Sequence, residues 1–449
     1  MGQWGFIGGE SFMKNPFECK RSETEAESVE PAPAEQKPEW STEYRLEWTI
    51  WILCMGLLAG MALSRKLWIV GDRLYPVIPF IGETPFPDWL HALMSISLVM
   101  SVTCMALRKG RRNVFAAMCV TLSVFLAVMD QTRLQPWFYQ YTLMLLPFIH
   151  WKSADRMHSA DRNLIMTSMQ MIMIGIYFWA GFHKLGTIFP TVWTDSVAAP
   201  LLEKLSGRWA ESVQAFGTWI PWIEILTGLF LIIPATRIIG VLLALGMHIT
   251  ILVLIGPFMS NSNSVIWPWN ITMMGLVWVL FSGNKRPFIP GEWPASLLSS
   301  RCVIALLVLL VWVLPFFSTY GIWDKYLSFH LYSGTGHRYS LILNSGMEEK
   351  LPFRIRKYVT PATEMTYAEL NAGRWSMQEL NVPPVSEGRV MIKWCRAMMK
   401  FGFVEYEAFI HHDAPYLKNK APAKYSPKEL SEMSQIPPLP NREVHTEGD

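Results

Sequence analysis

Runs of mostly apolar residues, separated by short polar segments, follow one another from residue 46 to residue 320. A helix needs about 20 apolar residues to cross a bilayer, with a range of about 17 to 25. The pattern therefore predicts an all-α polytopic membrane protein with about nine transmembrane helices, of which the fourth and sixth are short for this role. The runs cover residues 46–63, 88–107, 113–129, 137–149, 164–182, 219–233, 238–256, 265–282 and 302–320.

The basic loops indicate which side of the membrane each end occupies. The densest one, RKGRR at residues 108–112, joins the second and third runs. Because basic loops lie on the cytoplasmic side, nine alternating spans predict a cytoplasmic N-terminus and an extracytoplasmic C-terminal region. Residues 1–44 are acidic and proline-rich, and we expect a disordered cytoplasmic tail. The tail lacks the features of a cleavable signal, so we expect the first span to act as a signal-anchor.

The composition agrees with a membrane location, which is the inner membrane if the source is bacterial. Of the 449 residues, 51% are hydrophobic and only 17% are charged, whereas soluble proteins carry about 25% charged residues. A net charge of +3 is too small to indicate a nucleic-acid partner, so the lipid bilayer is the predicted partner. The six cysteines form no CxxC pair, and neither disulfides nor a metal site is predicted.

Polar residues recur at one depth of this topology, near the outer surface. Charged groups within spans are costly and usually face the interior of a bundle, so the sequence predicts one polar pocket there. A buried lysine beside a histidine can act as a base, whereas a nearby glutamate would keep it charged. The predicted catalytic residues are Lys184, His248 and Glu224, and the predicted cofactor-binding residues are Asp130, His183, Asn263 and Asn270.

Most of these residues also have an ordinary structural explanation, and Glu224, inside an apolar run, is the hardest to explain in this way. Lys184 can extend to the membrane interface, as lysines near the ends of spans do. His248 can be a hydrogen-bonded packing residue, and Asp130 can pair with Arg133 on the next turn. The aromatic stretch before Asn270 can belong to an interfacial belt. The functional interpretation therefore depends on the shared depth of these residues.

The stretch YFWAGFHKL, residues 177–185, resembles the lysine-bearing helix of the vitamin K-dependent gamma-carboxylase family, whose membrane part is the horizontally transferred transmembrane (HTTM) domain. The order of the surrounding parts is also similar: Asp130 precedes an aromatic helix, Trp193 follows the lysine, and Glu224 comes next. The resemblance covers roughly residues 45–320. DoxX-type membrane proteins carry a similar Gly-x-x-Lys-Leu ending.

The resemblance implies that Lys184 is a base toward a quinol, and that a quinone or quinol is the cofactor. One departure is important: Trp137 stands where the family has a catalytic histidine. His183 or His248 remains a candidate substitute. The departure argues against glutamate carboxylation itself.

After Tyr320 the chain predicts a small extracytoplasmic α+β domain, residues 321–415, and an extended proline-rich arm, residues 416–449. Alternating residues predict a hairpin of 325–334 and 337–344, an amphipathic helix within 376–402, and a strand at 403–412. We expect His411 and His412 to lie in a surface turn and to bind no metal.

Two classes of function fit this sequence. The first is a membrane enzyme that acts on a quinol or another lipid-borne substrate near the outer leaflet. The second is a non-enzymatic scaffold or accessory subunit, which anchors a partner protein complex through the C-terminal domain and both tails. A connected cavity that holds Lys184, Glu224 and His248 would favour the enzyme, and a packed interior would favour the scaffold.

Overall fold

The computed structural model describes the chain from residue 40 onward, with gaps. The described residues are 40–152, 157–286, 298–344, 349, 351–360, 367–399, 406–412, 423–426, 429 and 432–433. Almost all of the predicted cytoplasmic tail and most of the predicted C-terminal arm lie outside these residues.

The described part of the chain is mostly helical, and six of its helices are long and apolar enough to cross a membrane. A seventh is obtained if Gly207–Phe216 and Ile220–Ile232, which meet at a bend of 49°, form one span. The six are Thr42–Leu63, Asp88–Leu107, Lys109–Met129, Ser159–Phe182, Arg237–Leu254 and Arg301–Tyr320. Apolar helices of this length are suited to a lipid bilayer. They agree with the multi-pass membrane protein that the sequence pattern predicts.

Shorter apolar helices occupy the remaining predicted spans. Pro136–Leu145 has 10 residues and continues as the 3₁₀ helix Leu146–His150. Ile220–Ile232 has 13 residues and Ile266–Phe281 has 16. Pro136–Leu145 and Ile220–Ile232 each carry a proline in the first turn. Backbone N–H groups there have no partner within the helix, so the missing N–H of proline costs no hydrogen bond. All the apolar runs of the sequence are therefore helical where described, but these three are short.

One end of the helical bundle is covered by the C-terminal region, which contacts four separate loops. Glu379 accepts hydrogen bonds from the backbone N–H groups of Leu74 and Tyr75 at 2.8 and 2.9 Å. The other three contacts are those of Arg389 with Gln131, His330 with His183, and Asn381 with Ser264.

At the other end, arginines bind helix ends together. Arg45 donates to the carbonyl of Val279 at 2.6 Å, and Arg237 donates to the carbonyls of Asn284 and Arg286 at 2.6 Å each. Val279 lies in the last turn of Ile266–Phe281, where backbone carbonyls have no partner within the helix, so Arg45 supplies the missing donor.

The C-terminal region contains an antiparallel sheet of five strands, in which the third strand along the chain pairs with the first and second, and the fourth pairs with the first and fifth. Helices Ala372–Leu380 and Gly388–Met399 accompany the sheet, and the second contains the predicted amphipathic helix. The strands are β1 (His337–Asn344), β2 (Val359–Thr360), β3 (Tyr367–Asn371), β4 (Tyr406–His412) and β5 (Ala423–Tyr425).

Two local predictions for this region are wrong. Residues 325–334 form a 3₁₀ turn and a loop instead of a strand, because Phe329 and Tyr332 have φ values of 60° and 54°. Left-handed residues cannot continue an extended strand. His411 and His412 belong to β4, opposite Arg338 and His337, and not to a surface turn.

Two glycines let the helix Ser159–Phe182, here called the lysine helix, approach Ile220–Ile232, here called the glutamate helix. A Cβ atom at Gly181 would lie 2.5 Å from the Pro221 carbonyl oxygen and 2.8 Å from the Ile225 nitrogen. A Cβ at Gly228 would lie 3.1 Å from the Ile174 carbonyl oxygen. Small residues allow such close backbone contact in membranes, where packing holds helices together.

We predict that Gly181→Val destabilises the protein by about 1 to 3 kcal/mol, because the added methyl groups force the two helices apart. The control is Gly246→Ala, since a Cβ there meets nothing within 4 Å. That change should be neutral or stabilise the helix by up to about 1 kcal/mol. Thermal unfolding in detergent measures both, and equal midpoints would contradict the close contact.

Candidate functional site

A buried ion pair joins the lysine helix to the glutamate helix. Lys184 follows the last turn of the first helix, and Glu224 lies on the second turn of the other. The Lys184 Nζ atom donates to both carboxylate oxygens of Glu224, at 2.6 and 2.7 Å. Only 6% of each side chain is exposed. The Gly181 contact brings the two backbones close enough for this geometry.

A second polar group lies on the neighbouring helices. The Nδ2 atom of Asn270 donates to the carbonyl of Ile266 at 2.8 Å, so its oxygen faces Nδ1 of His248 at 2.7 Å. An amide oxygen only accepts, so Nδ1 carries the proton. Nε2 of His248 then accepts a hydrogen bond from the hydroxyl of Tyr177 at 2.8 Å. Asn270 thus fixes the tautomer of His248 and the direction of the Tyr177 hydroxyl.

Both polar groups line one small cavity of about 60 Å³, here called the chamber. Its polar lining comes from four helices and from the loop around Tyr332. The chamber is large enough for one or two water molecules or for one reacting group. The residues that form its polar lining are Tyr177, Lys184, Glu224, His248, Asn270 and Tyr332.

An apolar cleft of about 270 Å³ meets the chamber at the ion pair. It lies between the glutamate helix, the helix Arg237–Leu254 and the segment after Lys184. Lys184 and Glu224 line both cavities, and Nζ of Lys184 lies 5.5 Å from the ring centre of Phe189 on the cleft wall. The other lining residues are mainly apolar, among them Trp193, Val197, Ile220, Ile223, Leu242, Leu243 and Ile251.

A larger cavity of about 590 Å³ lies between the bundle and the C-terminal region. Asn263 and Trp269 line it from the bundle, and His330 and Arg338 line it from the C-terminal region. The chamber therefore has an apolar cleft on one side and a more polar cavity on the other.

His183 lies next to Lys184 in the chain, but its ring stacks on another histidine and does not line the chamber. Its ring stacks on that of His330, with centres 3.7 Å apart and an angle of 18°. Ser318 and Thr335 hold the two ring nitrogens of His330 at 3.1 and 3.0 Å. Burial lowers the pKa of His183 to about 3, with help from Lys184, and also lowers the pKa of His330. Both rings are therefore neutral and stack without repulsion.

Asp130 lies in a different polar cluster, outside the lining of the three cavities. It pairs with Arg73 at 2.6 Å and accepts the backbone N–H of Ile78. Burial alone would raise the pKa of Asp130, but Arg73 and then Arg133 hold it below its ordinary value. Arg133 donates to three backbone carbonyls and His91, so its side chain does not form the predicted pair with Asp130.

The structure thus brings Lys184, Glu224, His248 and Asn270 together around the chamber, with His183 adjacent. Asn263 lines the larger cavity instead. Tyr177 is not among the residues predicted from the sequence, although a signal for it exists. Residues 177 and 184 are seven apart, a spacing that places two side chains on one face of a continuous helix.

This arrangement is suited to proton transfer at the boundary between lipid and a polar chamber. The ion pair offers a carboxylate and an amine within one hydrogen bond of each other. The histidine and tyrosine offer a second acceptor and donor. In the described residues, no group of three or more metal-binding side chains is found.

Comparisons with models of protein families, with curated proteins and with solved structures found no match to this chain. The resemblance carried by residues 177–185 therefore remains an expectation from the sequence. Function has to be argued from the site itself.

Proposed function

We propose that the protein is a membrane enzyme in which Lys184 and Glu224 remove a proton from a lipid-soluble phenolic reactant, such as a quinol. The observation that supports this most is the position of the pair. Both side chains line the apolar cleft and the polar chamber at once. Buried charges at such a boundary are typical of functional sites in membranes.

The shape and chemistry of the cleft favour a lipid-borne reactant. Its walls are mainly apolar, and Lys184 and Glu224 supply its charged groups. A volume of about 270 Å³ is sufficient for an aromatic ring with a short stretch of attached chain. A ring hydroxyl at the inner end of the cleft would then meet the amine of Lys184.

Proton transfer in this pair can be written without a further reactant. Glu224 first takes a proton from the ammonium group of Lys184, which leaves a carboxylic acid and a neutral amine. The amine then takes the hydroxyl proton of the reactant, which becomes a phenolate beside the new ammonium. Burial favours the neutral pair over separated charges, and the ammonium then stabilises the phenolate.

A full carboxylase activity is not part of this proposal. Trp137, at the position of the family's catalytic histidine, packs against Trp68 and Tyr141 and cannot exchange a proton. His248 lies on the chamber instead, where it can receive a proton through Tyr177. The proposed chemistry is therefore deprotonation of a quinol-like group. Later steps depend on the reactivity of the phenolate that forms.

A scaffold is the second candidate, and one observation favours it. The Lys184–Glu224 pair also links two helices, and the C-terminal region covers that end of the bundle through several contacts. Such a surface could anchor a partner protein. In that case the ion pair would have a structural role alone.

We predict that Lys184→Met, which keeps the apolar stem, abolishes turnover of a quinol and lowers stability by about 3 to 5 kcal/mol, because Glu224 is left unpaired. Adding Glu224→Gln should recover much of the stability. In an enzyme the double variant stays inactive, as measured by oxidation of the quinol in nanodiscs with dissolved dioxygen as the electron acceptor. If no quinol turnover is found in the parent protein and the double variant is fully stable, the scaffold is favoured.

We also predict that filling the cleft weakens binding of a short-chain quinol. Gly246→Trp places an indole in the cleft, where Gly246 has open space. Leu229→Trp is the matched control, because Leu229 is 42% exposed on the lipid-facing side of the glutamate helix. Isothermal titration or fluorescence quenching in nanodiscs measures the affinity. Equal affinities in both variants would exclude the cleft as the binding site.

We propose further that nine segments cross the membrane, with the N-terminus cytoplasmic and the C-terminal region extracytoplasmic. Two observations support this. The C-terminal region contacts loops that alternate along the chain. The short segment 136–150 begins next to Gln135, which donates to the carbonyl of Pro383 in the C-terminal region. It ends next to Trp151, which contacts Arg112 at the opposite end of the bundle.

The orientation is tested by labelling intact cells with a membrane-impermeant thiol reagent. Ile322→Cys, at a position that is 72% exposed, should be labelled, and Gly110→Cys in the basic loop should be protected. Both are made without Cys19, Cys104 and Cys302. The opposite pattern would reverse the topology.

A further inference from the structure

One residue, Tyr332, lines the chamber, the apolar cleft and the large cavity together. Among the lining residues of the cleft and the large cavity, Tyr332 is the one that the two share. About 38% of its surface is accessible, although it lies between the bundle and the C-terminal region. The ring therefore forms the wall between the two larger cavities.

The backbone around Tyr332 is held in an unusual conformation. Phe329, Tyr332 and Gly334 all have φ between 54° and 73°. A Cβ atom at Gly334 would lie 2.5 Å from a methyl carbon of Val192, so this loop packs directly on the segment after Lys184. Non-glycine residues in this region cost about 1 to 3 kcal/mol each and persist where the surroundings fix them.

A residue of the bundle with a left-handed backbone conformation, Asn263, lines the large cavity together with Tyr332. Asn263 itself has a φ of 48°. Two residues with left-handed backbone conformations, from distant parts of the chain, therefore line the same cavity.

We propose that Tyr332 is the partition that decides from which side Lys184 and Glu224 are reached. With the ring in place, an apolar reactant enters from the lipid through the cleft, and water in the large cavity is kept from the cleft. Displacement of the ring joins the two cavities and gives a reactant in the large cavity a route to the pair. Exclusion of water at that point protects a phenolate from reprotonation by solvent.

This inference deepens the proposed function and rests on it for the identity of the reactant. The partition itself is tested without turnover, so the two can fail separately. The reporter is Gly246→Cys, in the cleft and near the middle of its helix, where a charged thiol reagent cannot arrive through lipid. The reagent is a charged methanethiosulfonate, added to the full chain in nanodiscs without Cys19, Cys104 and Cys302.

We expect slow labelling of Gly246→Cys when Tyr332 is present and several-fold faster labelling with Tyr332→Ala. Tyr332→Phe keeps the ring and should keep labelling slow. Ser262→Cys, in the large cavity, should be labelled at the same rate in all three backgrounds. Buried Cys54 and Cys395 must stay unlabelled, which shows that each variant is folded. Fast labelling with Tyr332 intact, or equally slow labelling with Tyr332→Ala, would overturn the proposal.

Discussion

The ion pair of Lys184 and Glu224 is the interaction on which the rest of the site depends. Two opposite charges removed from water are stable only with close geometry, and here the amine reaches both carboxylate oxygens within 2.7 Å. That distance needs the two helix backbones in direct contact, which Gly181 and Gly228 permit. A membrane bundle has little hydrophobic force between its helices, so such close contacts and polar links determine their arrangement.

The same requirement explains why much of the architecture could be predicted from the sequence. Apolar runs of membrane length can only be helices, because lipid offers no partner for backbone groups. The predicted runs therefore coincide with helices throughout the described residues, to within a few residues at each end. Glu224 was recognisable because a carboxylate inside an apolar run needs a partner, and Lys184 provides it.

Other parts of the site could not be predicted, since they depend on packing between distant segments. The sequence predicts the same depth for Asp130 as for Lys184, yet Arg73 from a preceding loop holds Asp130 elsewhere. Depth along the membrane normal says nothing about position around the bundle. The loop 325–334 has the alternation of a strand, but its left-handed residues are fixed by contacts with the segment after Lys184, so local pattern gave the wrong element.

The order of the chain adds a further constraint. The helices supply the lysine, glutamate, histidine and asparagine, whereas the loop at residues 329–334, which comes later, supplies the stacking partner of His183 and the wall of the chamber. The site is therefore incomplete until the C-terminal region has docked on the bundle. Glu379 helps to fix that docking by accepting hydrogen bonds from two backbone N–H groups of the loop after the first helix.

Because the C-terminal region also forms the large cavity, any partner that bound and displaced this region would also open the route that Tyr332 closes. In that case partner binding and access to the ion pair would be coupled through one segment, and the enzyme and scaffold functions would not be mutually exclusive in this fold.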